Sequence, residues 1–109
     1  MKRLAFALAL LGLMAGLGHA ELQGQTVSAN AGAQTVTINA KDLTVVNNTG
    51  GNEIYVRIFE PGETVVAATS SDHEIDAGEG FAFSKSGGIK AISIVCASGE
   101  TATVRLFFW

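Results

Sequence analysis

The sequence predicts an all-β protein, a small antiparallel β-sandwich or partly closed barrel of about seven or eight short strands. Three observations carry that expectation. Apolar residues recur at every second position, as in Ile54, Val56 and Ile58 or Val104, Leu106 and Phe108. The breaks between these runs are turn-rich: "NNTGGN", "EPGE", "DAGEG", "SKSGG" and "ASGE". Beyond the leader, no stretch repeats its apolar residues at helical spacing.

The chain opens on Met1-Lys2-Arg3, continues as an uncharged apolar run from Leu4 to Leu17, and reaches small residues at Gly18 and Ala20. That order marks residues 1–20 as a secretory signal peptide, cleaved before Glu21. The run is shorter than the roughly 18 apolar residues a membrane span requires, so the mature chain is expected not to be transmembrane. A secreted or periplasmic location follows, in a bacterial style of leader. Residues 21–109 then form one domain, near the size at which burial alone is only just sufficient.

Strands are expected near 25–30, 34–39, 43–47, 53–59, 64–68, 73–77, 80–85, 89–97 and 101–108, with one merger allowed. The first two carry an internal repeat. "QTVSANAGA" and "QTVTINAKD" align Gln25 with Gln34, Val27 with Val36 and Asn30 with Asn39. Two copies fall below the three or so that a repeat array needs, so they are expected to be two paired strands of similar pattern. Pro61-Gly62 suits the tight turn before 64–68.

Leader removal leaves five basic against ten acidic side chains, a formal charge of −5 where the full chain has −3. The remaining bases, Lys41, Arg57, Lys85, Lys90 and Arg105, are scattered singly along the chain. They form no stripe that could follow a phosphate backbone, so nucleic acid is not an expected partner.

Chemistry is also thinly supplied. One histidine, His73, and one cysteine, Cys96, remain after leader removal, too few nitrogen and sulfur ligands for zinc. His73 alternates with Asp72 and Glu74, which places those carboxylates on the opposite side of a strand from its ring. No Gly-x-Ser-x-Gly elbow is present, and "SKSGG" lacks the surroundings of a serine-lysine pair. The chain is therefore expected not to be an enzyme and to need no cofactor. Cys96, in "AISIVCAS", is expected to be a buried small hydrophobe, with an intermolecular disulfide as the alternative.

In "SSDHEIDAGEG", Asp72, Glu74 and Asp76 share one side of a strand and His73 and Ile75 the other. A helix-flanked calcium loop counted from Asp72 would need glycine sixth and glutamate twelfth, where Ala77 and Phe83 stand. That site is excluded by spacing. An acidic edge that discourages aggregation is the expected role, with a looser calcium loop of Asp72, Glu74, Asp76 and Glu79 as the alternative.

"YVRIFE" and the terminal "TVRLFFW" are built alike. In the first, Ile54, Val56 and Ile58 form an aliphatic side, leaving Tyr55, Arg57 and Phe59 on the other. In the second, Val104, Leu106 and Phe108 face inward, leaving Arg105, Phe107 and Trp109 outward. Arginine with aromatics is enriched where proteins bind proteins, so these six residues are the candidate partner-binding surface. Cover by another sheet or by the N-terminal segment is the structural alternative. An outer-membrane barrel also tends to end on an aromatic, but eight strands of about 9 to 11 residues would leave almost nothing for turns.

"VVNNTGGNEIYVRIF", a turn, and then "IDAGEGFAF" resemble the strand and glycine-turn rhythm of many secreted β-sandwiches, including lipid-binding aegerolysin-like proteins. The resemblance spans about half the chain. It implies the sandwich fold, and no site residue is carried over, because the aromatic membrane-facing segments of that family have no counterpart here. The expected function is a secreted, non-enzymatic binding module that holds a protein or cell-surface partner through the arginine-aromatic sheet face or through the loop tips. A self-assembling subunit of an extracellular polymer and a lipid-binding or membrane-active sandwich are the alternatives.

Overall fold

Among the described residues, period-two runs of branched and apolar residues form six antiparallel strands in one curled sheet, an open half-barrel. The computed structural model describes residues 22–48 and 51–109; the proposed leader lies outside them. The strands are β1 (Gln23–Ala29), β2 (Gln34–Asn47), β3 (Ile54–Phe59), β4 (His73–Ile75), β5 (Gly80–Val95) and β6 (Ala102–Phe108). Their spatial order is β1-β6-β2-β5-β3-β4.

Six strands replace the expected seven or eight because two anticipated breaks are crossed without ending the ladder. Residues 34–39 and 43–47 are one strand, and so are 80–85 and most of 89–97. The pairing of β2 with β5 shifts register between Thr37 and Ala40 and again between Ala40 and Asp42. Asn39 sits there at φ 53° and Gly88 at φ 99°. Asparagine and glycine tolerate this left-handed region, so both strands bend through a bulge and continue. Residues 64–68 form no strand.

The bend divides the sheet's work. Residues 42–46 of β2 pair with 80–84 of β5 and, on their other side, with β6, which β1 flanks. Residues 34–37 of β2 pair with 91–94 of β5, which β3 and then β4 extend. Strands that bend between two packed halves are a recurrent way to close a β core.

Between the halves lies one cluster that includes Val27, Leu43, Val45, Ile54, Val56, Ile92, Ile94, Val104, Leu106 and Phe108. Each fully buried aliphatic chain of this kind stabilises by roughly 1.5 to 3 kcal/mol. Asn47, also fully buried, pins the open side: its Nδ2 donates to the carbonyls of Asn52 at 2.8 Å and Ile75 at 3.0 Å. The strand facings expected for β6 match its burial, which alternates from Ala102 to Phe108.

Candidate interaction surface

The outer face of β5 is not solvent-exposed along its second half. Ala91, Ser93 and Val95 are buried there, as their neighbours Ile92 and Ile94 are on the inner face. The segment between β3 and β4 supplies the cover. The Ala68 backbone N–H donates to Ser93 Oγ at 2.8 Å, and Lys90 Nζ donates to the Glu63 carbonyl at 2.9 Å.

That cover decides the fate of one expected contact residue. Phe59 pairs with Ala91 and is only 2% exposed. It is therefore a core residue of this second layer and not a partner-binding one, a correction to the sequence expectation. Arg57 stays exposed, its guanidinium carbon 5.6 Å from the Phe59 ring centre. Tyr55 is half-buried beside Glu74, opposite it on β4.

On β6, Arg105 is exposed, while Phe107 and Trp109 are half-buried. Phe107 lies against Gly24 of β1, where a Cβ would stand 3.8 Å from its ring. An aromatic laid over a strand glycine restores the packing that the missing side chain leaves out. The two arginine-aromatic faces do not merge. Arg57 shares a row with Ser93 and Thr35, whereas Arg105 shares one with Val46 and Thr26. β2 and β5 separate β3 from β6 in the sheet.

A different aromatic group occupies the open side of the half-barrel. Phe81 and Phe83 of β5 lie opposite Val45 and Leu43, and His73 of β4 lies opposite Val56. The His73 ring centre is 4.1 Å from that of Phe81 and 5.8 Å from that of Phe83, and the two Phe rings are 4.8 Å apart. These separations and tilts are those of favourable aromatic pairs. Phe81 nonetheless remains 42% exposed, one of two large exposed hydrophobics among the described residues. Both Phe residues were legible as an alternating pair in "FAF", but their meeting with His73 is a tertiary contact.

The acidic stretch closes on itself. Asp72 Oδ2 accepts from the Thr69 backbone N–H at 2.8 Å, and Glu79 Oε1 from that of Asp76 at 3.1 Å. Among the described residues, no three carboxylate, histidine or cysteine side chains are placed to hold one metal ion. A hydrogen bond with Asp76 holds the Glu74 carboxyl above the usual glutamate range, helped by desolvation and by the charges of Asp76 and Glu53. The Tyr55 hydroxyl opposes this by bonding to Glu74. Desolvation, then Glu74 and its acidic neighbours, likewise push the Tyr55 phenol up.

A raised folded pKa means that the folded chain binds the proton more tightly than the unfolded chain. The resulting stabilisation is complete below the unfolded value and is lost as pH rises through the folded one. Glu74→Gln, which keeps the hydrogen bond without the charge, should therefore raise the melting temperature near neutral pH and change it little near about pH 4. An unchanged melting temperature at neutral pH would contradict the pairing.

Cys96 is buried, and burial first, then Glu100 and Glu53, push its thiol up. It behaves as the small core hydrophobe that its apolar strand predicts.

No family model matches the chain, and no curated protein matches it. Solved structures do. The hydroxypropylphosphonic acid epoxidase from S. wedmorenis, in complex with fosfomycin, superposes with TM-score 0.54 at 11% identity over 81% of this chain. The chain spans only 43% of that enzyme's length. PirA superposes with TM-score 0.51 at 12% identity, over 81% of this chain and 93% of PirA. A cupin-2 domain protein from Shewanella frigidimarina gives 0.46 at 9% identity, over 79% of this chain and 68% of that one. At these identities the likeness to the first two is one of fold alone.

Proposed function

We propose that the chain is an exported, non-enzymatic interaction module, secreted or periplasmic, that holds a protein or cell-surface partner. The carrying observation is Phe81, 42% exposed on the open side of the fold, with its ring braced by His73 and Phe83. Exposed rings held in place by neighbours contribute contact area at low entropic cost, which is how interface hot spots are built. Arg57, Arg105 and the half-buried Trp109 and Tyr55 are secondary contacts on the outer faces, in two separate places.

Binding of the labelled chain to cell envelopes of its source culture tests this. Phe81→Ser should weaken binding about tenfold or more, with the melting temperature little changed. Equal binding by the folded variant would refute the assignment of Phe81. A second reading, a subunit that assembles with copies of itself, is supported by the unpaired sides of β1 and of residues 80–84 of β5.

A further inference from the structure

The side of β1 away from β6 and the side of residues 80–84 of β5 away from β2 pair with no strand among the described residues, and the outward amides on each follow from the ladder. Asp42 and Trp109 exchange both backbone hydrogen bonds, at 3.2 and 3.1 Å. Bonded pairs recur at every second residue of an antiparallel ladder, so Thr44 with Phe107 and Val46 with Arg105 are bonded pairs too. The intervening residues of β6, Val104, Leu106 and Phe108, then bond to Val27, Gln25 and Gln23 of β1. Gly24, Thr26 and Ser28 are left with their N–H and C=O groups directed outward.

The other side of β2 obeys the same count. Val45 with Phe81 and Leu43 with Phe83 are bonded pairs, consistent with the Asn47 N–H donating to the Glu79 carbonyl at 2.8 Å. Gly80, Ala82 and Ser84 therefore direct their amide groups outward along the first part of β5.

No proline, bulge or charged side chain lies within Gln23–Ala29 or within residues 80–84 of β5, although Lys85 and the bulge at Gly88 follow the latter. The chain has ten acids, and none lies in Gln23–Ala29 or Gly80–Val95. Copies of an acidic chain can meet here without bringing carboxylates together. Of the remaining edges, β4 has three residues, and the free side of β2, which like β5 runs into the bulge and a lysine, Lys41, carries no large exposed hydrophobic to be covered.

We propose that the β1 edge of one copy pairs antiparallel with the β5 edge of the next, with Thr26 opposite Ala82. This rests on the reading of the protein as an interaction module and names its partner as a second copy. Gly24 with Ser84, Thr26 with Ala82 and Ser28 with Gly80 become bonded pairs, about six new backbone hydrogen bonds. Val27 falls opposite Phe81 and Gln25 opposite Phe83, in the closer non-bonded positions. Aromatic against β-branched is a favourable cross-strand pair, and it covers the exposed Phe81 ring. Pairing β1 with itself would leave that ring uncovered. Because each contact uses two different edges, subunits add head to tail.

Thr26→Pro and Ala82→Pro each remove one outward donor and no intramolecular ladder bond. Thr26→Lys and Ala82→Lys place a charge on the same edges should a proline disturb folding, which melting curves report. In analytical ultracentrifugation, the average mass of the unaltered chain should rise with concentration beyond that of two subunits. Either variant alone should stay at one subunit, and an equimolar mixture should form a species of two subunits and nothing larger, since only one intact pair of edges remains.

A folded Ala82 variant that dimerises while the Thr26 variant does not would replace the proposal with β1 self-pairing. Unaltered chain that stays at one subunit overturns the proposal. If that single subunit still shows Phe81-dependent envelope binding, the interaction module stands without self-pairing.

Discussion

Truncating Phe108 to alanine should destabilise the protein by about 3 to 5 kcal/mol, read as a lower midpoint in denaturant unfolding. Phe108 is 6% exposed and belongs to the main core cluster, and it pairs with Leu43 on one side and Gln23 on the other. Domains of this size hold a net stability of about 5 to 15 kcal/mol, so the loss is a large share of the whole. Trp109→Ala should cost much less. Its side chain is half-buried, and its fixed contribution is made by the backbone, whose carbonyl accepts from Lys41 and Asp42 and whose N–H donates to Asp42. Those bonds survive a change of side chain. A protein unfolded by Trp109→Ala yet tolerant of Phe108→Ala would reverse the facing of β6.

Phe59→Ala should carry a penalty of similar size, about 3 to 5 kcal/mol, although sequence pattern places Phe59 on an outward face. The ring is 2% exposed and sits in the layer formed where the segment after β3 crosses the outer face of β5. Arg57→Ala, two residues away on the same face, removes an exposed group and one cation-π contact of 5.6 Å, so about 0.5 to 1 kcal/mol is expected. Unfolding measurements that find Phe59→Ala as mild as Arg57→Ala would show that the crossing segment does not seal this layer.

The contrast between Phe108 and Phe59 shows how far the sequence is informative. Alternation fixes which side of a strand a residue takes, and both residues lie on the side that alternation assigns. It does not say whether that side is covered. In β6 the outer side is open at Arg105, while next to β3 a loop closes over it, and the loop's own residues "ETVVAATSS" resemble a short strand. Its anchoring bond runs from Ala68 to Ser93, 25 residues apart in sequence, a distance that no local pattern encodes.

Strand number was obscured for a related reason. "NAKD" and "SKSGG" contain genuine turn residues, and Asn39 and Gly88 do adopt turn-like backbone angles. The ladder between β2 and β5 absorbs both as bulges because the two irregularities lie across from each other. The candidate surface was legible in part: the outward placing of Arg57, Arg105 and Trp109 follows from alternation. The His73, Phe81 and Phe83 group required the curl that brings β4 over the first part of β5. The near copy of "QTV" in β1 and β2 does mark two strands of one pattern, but they do not pair with each other as expected: β6 lies between them, and β1 ends the sheet.

Residue-resolved amide hydrogen exchange, measured at low and at high protein concentration, tests most directly whether the sheet edges of this protein are its contact surface. At low concentration the amides of Gly24, Thr26, Ser28, Gly80, Ala82 and Ser84 should exchange quickly, while those of Gln25, Val27, Phe81 and Phe83 are protected by the ladder. At high concentration the first six should become protected as well. Protection of those six at low concentration, or their continued rapid exchange at high concentration, would contradict the account.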